Sequence, residues 1–406
     1  MGALLKALSK KKLKLKRSYE KWAFTAFLHP KTQELRSFTL KIAENSLKNQ
    51  EFIEVKQNYL QSADPTVVQG FLLREDISRL FKNRYADQTS ERILIHVPSA
   101  ESSPAGFSLF TNLAECLNYL GVPTAILGWN QDSNEVVESF KPTVFLTSEH
   151  DSYLNRVDWN GIAKYKTRHK LKVGITAPLL ENDTAPNTEK LLWAIENKID
   201  FLYSFRDVDY VNSQPVYKAF ANAGLPLLCL PWGANVLRYY PVPGCERDLD
   251  YVLIASRKRE HIVYMKEIAK CYPGFIDGPG WNHINNFSFN RDRDRYIYSR
   301  AKVGLNIHLP EQLNNVYELN ERTYQLAACG APQLIDHPKL LDKTFSKEAI
   351  FIAENPKEYT ELFLELINNP VLGQKAALLA QQEVFSKHTT FHRAEAFLKQ
   401  LEKMNS

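Results

Sequence analysis

The sequence predicts an α/β protein made of two doubly wound, Rossmann-like parallel sheets behind a helical N-terminal extension. Three observations carry this expectation. From Arg92 onward short apolar runs alternate with helical patterns, the order of a parallel sheet covered on both faces. The alternation is interrupted at Pro241-Val-Pro-Gly244, a stiff connection, and then resumes. At 406 residues the chain is also too long for one ordinary domain.

The chain begins with a basic stretch, in which Lys6, Lys10, Lys11, Lys12, Lys14, Lys16 and Arg17 precede the first acidic residue, Glu20. Without it the net charge of +5 falls close to neutral. A helix over 1–19 would carry Leu4, Leu5, Leu8, Leu13 and Leu15 on an irregular apolar side. It suits an anionic membrane surface or, equally, a solvated tail. A nucleic-acid binder would more often spread its basic residues over a folded face, so no nucleic-acid partner is expected. No apolar run approaches the ~20 residues needed to span a bilayer. Leu4 to Leu8 is interrupted by Lys6 and followed by lysines, which is not a signal peptide. The five cysteines are scattered and lack metal-ligand spacing, as expected of reduced thiols in a cytoplasmic protein.

From Trp22 to Asn83 the apolar spacing is helical, either a cap on the following domain or a partner-binding extension. Strands are then expected at 92–97, 125–128, 143–146, 171–176, 201–203 and 225–230, with helices at 107–120, 133–140, 154–169 and 188–197 between them. The loop after the first strand holds Gly106 alone. A dinucleotide fingerprint needs several glycines there, so the loop argues against a dehydrogenase. Beyond Gly244 strands are expected at 250–255, 275–276, 303–307, 350–353 and just before Asp336. The helices between and after them are 260–271, 296–301, 320–329, 356–368, 372–386 and 391–404. Gly330 supplies the left-handed turn after the 320–329 helix, and Pro332 prevents that helix from resuming.

In such sheets ligands bind beyond the carboxyl ends of the strands, and the candidate residues cluster there. Arg257, Lys258 and Arg259 stand where a strand gives way to a helix, placed either to meet an anion or to be solvated. Arg322 lies in the first turn of its helix, unfavourable for a cation, so an anionic partner is expected, a phosphate group or Glu318. Asn320 reads as the N-cap. His308 ends its strand at the same edge, and the turn containing Gly278 permits close backbone approach to a ligand. Asp292-Arg-Asp294 reads as salt-bridging, and no metal site is expected.

The C-terminal part resembles the donor domain of glycosyltransferases of GT-B fold, in particular the CgeB-like (spore-maturation-type) group 1 family. The matching residues are Asn320-x-Arg322-x-Tyr324-Gln325, Ala328-Cys329-Gly330 and Asp336, with His388-Thr389-x-x-x-Arg393 further on. The likeness covers roughly the last 150 of the 406 residues. These families usually carry a glutamate at Gln325, which holds the ribose hydroxyls; Gln325 can hydrogen-bond but brings no charge. The resemblance implies a GT-B organisation: basic segment 1–21, helical extension 22–90, acceptor domain 91–244, nucleotide-sugar domain 245–388, and a helix, 389–406, crossing back. It implies that Arg257 or Arg259 and Arg322 hold a diphosphate and Gln325 the ribose. Gly278 would approach the base or ribose, with Asn320 nearby. Tyr324 either touches donor hydroxyls or is a core aromatic, and His308 is either structural or near the donor sugar.

The same resemblance places a catalytic base in the first N-terminal loop, where Glu101 is the sole ionisable side chain, with His150 and Asp151 as reserves. The implied activity is sugar transfer from a nucleotide-diphosphate sugar to a glycan or lipid-linked glycan of surface-polysaccharide type, at the inner face of the plasma membrane and without metal or cofactor. Two alternatives stay open: a nucleotide-sugar epimerase, and a non-catalytic relative acting as a binding or scaffold module.

Overall fold

The structure, a computed structural model, describes residues 28–48, 55–177, 188–281, 290–314 and 318–405. The basic segment 1–21 and its expected membrane-binding helix lie outside these residues.

The first sheet contains β1 (Ile93–Val97), β2 (Thr124–Gly128), β3 (Val144–Thr147), β4 (Lys172–Thr176), β5 (Phe201–Ser204) and β6 (Leu227–Cys229). The second contains β7 (Leu249–Ile254), β8 (Phe275–Asp277), β9 (Ala301–Asn306), β10 (Gln333–Ile335) and β11 (Phe351–Ile352). All pairings are parallel, in the orders β2-β1-β3-β4-β5-β6 and β11-β10-β9-β7-β8. Strands such as β1, Ile-Leu-Ile-His-Val, are buried along their whole length, as parallel strands covered on both faces must be. Each sheet changes its winding direction beside its first strand, between β1 and β3 and between β7 and β9. A crevice opens at such a switch point, beyond the carboxyl ends of the strands.

Side-chain caps moved two helix boundaries from their expected places. The helix expected over 154–169 divides into Asp151–Leu154 and Trp159–Arg168, because Asp158 caps the second piece by accepting from the Gly161 N–H at 3.1 Å. The helix expected over 296–301 runs instead from Arg291 to Ser299, capped by Asn290, and Ala301 already belongs to β9.

The N-terminal helices pack mainly on the second sheet, remote in sequence. Helix Thr32–Lys48 lies on β8 and helix Arg291–Ser299, and Arg36 donates to the buried Asp277 at 2.8 Å. Helix Pro65–Phe81 packs on helix Pro370–Lys387 so closely that a Cβ on Gly70 would lie 2.4 Å from Gln381 Nε2. The C-terminal helix Thr390–Asn405 returns to the first sheet, against β6 and helix Pro104–Tyr119. His388, Thr389 and Arg393 serve this crossing: Thr389 bridges to Ala234, and Arg393 donates to Trp232 O at 3.0 Å and to His388 Nδ1 at 2.7 Å. Among the described residues no helix is long and apolar enough to cross a membrane.

Candidate active site between the two sheets

At the switch point of the second sheet, Asn320 sets the geometry. Its Oδ1 accepts from the Thr323 N–H at 3.1 Å, capping helix Glu321–Ala328, while its Nδ2 donates to Asn306 Oδ1 at 2.8 Å. The helix is thereby held with Arg322 pointing across the ends of β7 and β9. The guanidinium donates to Ile254 O (3.0 Å), Ile307 O (3.3 Å) and Asn306 Oδ1 (3.1 Å). All three acceptors are neutral. Arg322 is 9 % exposed, burial pushes its pKa down, and among the described residues no carboxylate lies within ion-pair distance. Glu318, one partner expected for it, instead accepts from Gln312 Nε2 at 2.8 Å.

Arg322 lines a cavity of about 190 Å³ together with Ser256, Gly278, Asn320, Glu321 and Gln325. Pro104, Ala105 and Ser108 close it from the first sheet, so the cavity lies between the two halves. Gly278 has φ +128°, and a Cβ there would meet Ala255 O at 2.2 Å; only glycine fits. The Arg257 N–H donates to Pro279 O at 2.8 Å and joins the two loops at this edge. The Arg257 side chain is half-buried and that of Arg259 exposed, and neither lines the cavity.

Two other candidates turn away from the cavity. His308 uses both ring nitrogens within the fold: Nδ1 bonds Asp336 Oδ1 at 2.7 Å and Nε2 accepts from the Asn320 N–H at 3.3 Å. With its side chain fully buried it is a strut that braces the N-cap loop. Tyr324 is 2 % exposed and faces Phe345, His388 and Arg393 in the core, away from the lining of this cavity. Asp294 pairs with Arg293 at 2.7 Å and Asp292 faces Arg238 at 3.5 Å, the salt-bridging role their spacing suggests.

Nothing in the sequence marks Glu321, since a glutamate in a first helical turn is ordinary dipole complementation. In the folded chain it spans the halves, accepting from Ser108 Oγ at 3.0 Å and Asn112 Nδ2 at 2.7 Å. Burial raises its pKa to about 7.

Over the strand ends of the first sheet lies a larger cavity, about 590 Å³, walled by Phe110, Trp129, Tyr153, Phe205 and Trp232 and closed by Glu318 from the second sheet. Its carboxylate at the switch point is Glu149, two residues beyond β3. Ser148 Oγ donates to Glu149 Oε2 at 3.1 Å, Thr176 Oγ1 donates to the same oxygen, and burial raises the carboxyl pKa. Glu101 instead stands exposed on the turn after β1, outside the wall of this cavity. Asp151 is exposed and pairs with Lys190 at 3.1 Å; His150 lines the cavity but holds Ser152, with Nδ1 2.8 Å from Oγ. Leu109 and Trp232 belong both to this cavity and to a narrow space shared with Glu321, so the two cavities follow one cleft.

Residues 257–399 match a family model described as glycosyl transferase-like. No curated protein sequence matches the chain. Among solved structures the chain is similar to a glycosyltransferase from Rickettsia africae, at 12 % identity over 78 % of this chain and 100 % of that one, with a TM-score of 0.53. It is similar to sucrose-phosphate synthase from Thermosynechococcus elongatus at 12 % identity over 77 % and 99 %, TM-score 0.51. It is also similar to Anabaena HepE, solved with UDP-glucose, at 12 % identity over 77 % and 100 %, TM-score 0.50. Identity at this level speaks for the fold, which is GT-B: two parallel-sheet halves facing across a cleft.

Proposed function

We propose that the chain is a glycosyltransferase, of the CgeB-like group, that moves a sugar from a nucleotide-diphosphate sugar to a hydroxyl of a glycan or lipid-linked glycan. The observation that carries this reading is Arg322, a buried cation at a switch point with only neutral partners among the described residues. Leaving a charge so placed costs several kcal/mol, and an anionic ligand offsets that cost. The diphosphate would lie in the cavity lined by Arg322 and the glycine at 278, with Arg257 or Arg259 reaching its outer oxygens. Gln325 would hold the ribose from one turn further along the helix. The structure of HepE with UDP-glucose supports a uridine nucleotide.

The acceptor would enter the larger cavity, where Glu149 receives the proton of the attacking hydroxyl. The new glycosidic bond forms as the anomeric carbon–oxygen bond breaks, and the diphosphate leaves with the electron pair beside Arg322. In this reading the cation offsets the leaving charge without a metal ion. Residues 1–17 would hold the enzyme at the anionic inner face of the plasma membrane, where surface-polysaccharide acceptors are built.

The test is a thermal-shift series with UDP, GDP, dTDP and ADP on the wild type and on Arg322→Ala. One diphosphate at a hundredfold excess over its Kd should stabilise the wild type by ~2.7 kcal/mol and leave the variant unmoved. If no nucleotide shifts the wild type at millimolar concentration, the transferase reading falls and a scaffold role takes its place.

A further inference from the structure

The larger cavity contains a second guanidinium that has no counter-charge among the described residues. Arg206, two residues beyond β5, is 4 % exposed and lines the cavity. Among the described residues its side-chain hydrogen bonds run from Nη1 alone, to Tyr217 Oη at 2.9 Å and Ser204 Oγ at 3.5 Å. Neither partner is charged. The neighbouring carboxylate, Asp207, is spent as a helix cap on the Asp209 and Tyr210 N–H groups. Glu149 and Glu318 share the cavity, but among the described residues no carboxylate lies within 4.0 Å of the Arg206 nitrogens, the limit of an ion pair. A buried arginine offers five N–H donors in a planar fork, and here most of them have no partner among the described residues. That arrangement fits a planar carboxylate or a phosphate brought by a ligand.

The sheet also sets the distance from this cation to the candidate base. Glu149 follows β3 and Arg206 follows β5, with β4 between them. Two strand spacings put the ends about 10 Å apart, which one hexose with a charged substituent can span when side-chain reach is included. The aromatic walls offer faces on which a sugar ring can stack.

We propose, resting on the transferase reading, that the accepting sugar unit is anionic and that Arg206 receives its carboxylate or phosphate while its free hydroxyl faces Glu149. Charge recognition by a desolvated arginine discriminates strongly, because a neutral analogue leaves the guanidinium buried and unpaired.

The experiment is calorimetric titration of the full chain with methyl glucuronide, glucose 6-phosphate and neutral methyl glucoside, on the wild type and on Arg206→Gln. At least one anionic probe should bind the wild type about tenfold or more tighter than the neutral one. The anionic probe that binds tells a uronate-type acceptor from a phosphorylated one. Arg206→Gln should remove the preference while keeping the thermal shift by the nucleoside diphosphate. Equal binding of charged and neutral sugars by the wild type overturns the proposal, as does failure of both anionic probes at millimolar concentration. These comparisons need no variant, so a misfolded Arg206→Gln does not protect the idea. A preference that survives in a folded variant overturns it too. Loss of nucleotide binding with the anionic preference intact would sink the donor reading alone.

Discussion

At the residue scale, the site is governed by charges set largely out of bulk water in the walls of the cleft. Arg322 and Arg206 are cations with neutral hydrogen-bond partners, and Glu149 is a carboxyl whose pKa burial has raised. A raised pKa makes a stronger base once the group is ionised, at the cost of losing it sooner on acidification. The sign follows directly: the protonated acid cannot accept a proton, so the rate should fall as pH drops, with a midpoint above the ordinary carboxylate value near 4.5. Glu149→Gln should lower kcat by about 10²–10⁴, leave the nucleotide thermal shift in place, and flatten that acid limb. Rates measured across pH on both proteins decide it. A variant with an unchanged rate would move the base elsewhere.

At the scale of elements, short polar caps and glycines place the functional groups. Asn320 caps its helix and at the same time bonds Asn306, so the first turn, with Glu321 and Arg322, is fixed relative to β9. At the other end Gly330 has φ +68°, and a Cβ there would lie 2.7 Å from Thr66 Cβ on helix Pro65–Phe81. Gly330→Ala therefore combines left-handed strain with a clash against an element more than two hundred residues away in sequence. A loss of about 1–3 kcal/mol is expected in urea denaturation. A neutral result would show that the helix Pro65–Phe81 yields easily at this contact.

At the scale of the whole molecule, the chain is interleaved. Helices Thr32–Lys48 and Pro65–Phe81 complete the second sheet, and helix Thr390–Asn405 completes the first. The cleft is closed by Glu321, which joins the halves through Ser108 and Asn112, and by Arg291, which donates to Asn112 Oδ1 at 2.7 Å and Glu115 Oε1 at 2.8 Å. Removing residues 390–405 would take Phe391, Phe397, Leu398 and Leu401, each at most 2 % exposed, out of the core and uncover Phe81, Tyr119, Phe201 and Tyr203, on which the two phenylalanines pack. At about 1.5–3 kcal/mol per side chain the loss rivals the about 5–15 kcal/mol that holds a typical domain folded. The truncated chain should lose its cooperative unfolding transition by circular dichroism. A sharp transition near the wild-type temperature would show that the first sheet does not depend on this helix.

Local periodicity and turn chemistry determined the two-sheet plan, because alternating strands and helices have few ways to bury their apolar faces. Local chemistry also marked the Asn320 cap, the left-handed Gly330 and the region around Arg322. It did not determine which way each polar side chain points. The stretch Ser148-Glu-His-Asp151 carries three ionisable groups in a row with no local sign that Glu149 turns inward, and Glu101 has the same polar character on an exposed turn. His308 and Tyr324 stand in the expected segment yet face the interior, where Asp336 and Arg393 hold them. Arg206 carries no motif; its setting, with no counter-charge among the described residues, exists only once β5, helix Pro215–Asn222 and the cavity wall are assembled. Burial, and with it the electrostatics of a site, depends on elements far apart in the chain, so the tertiary structure alone decided which charges are left for a ligand to meet.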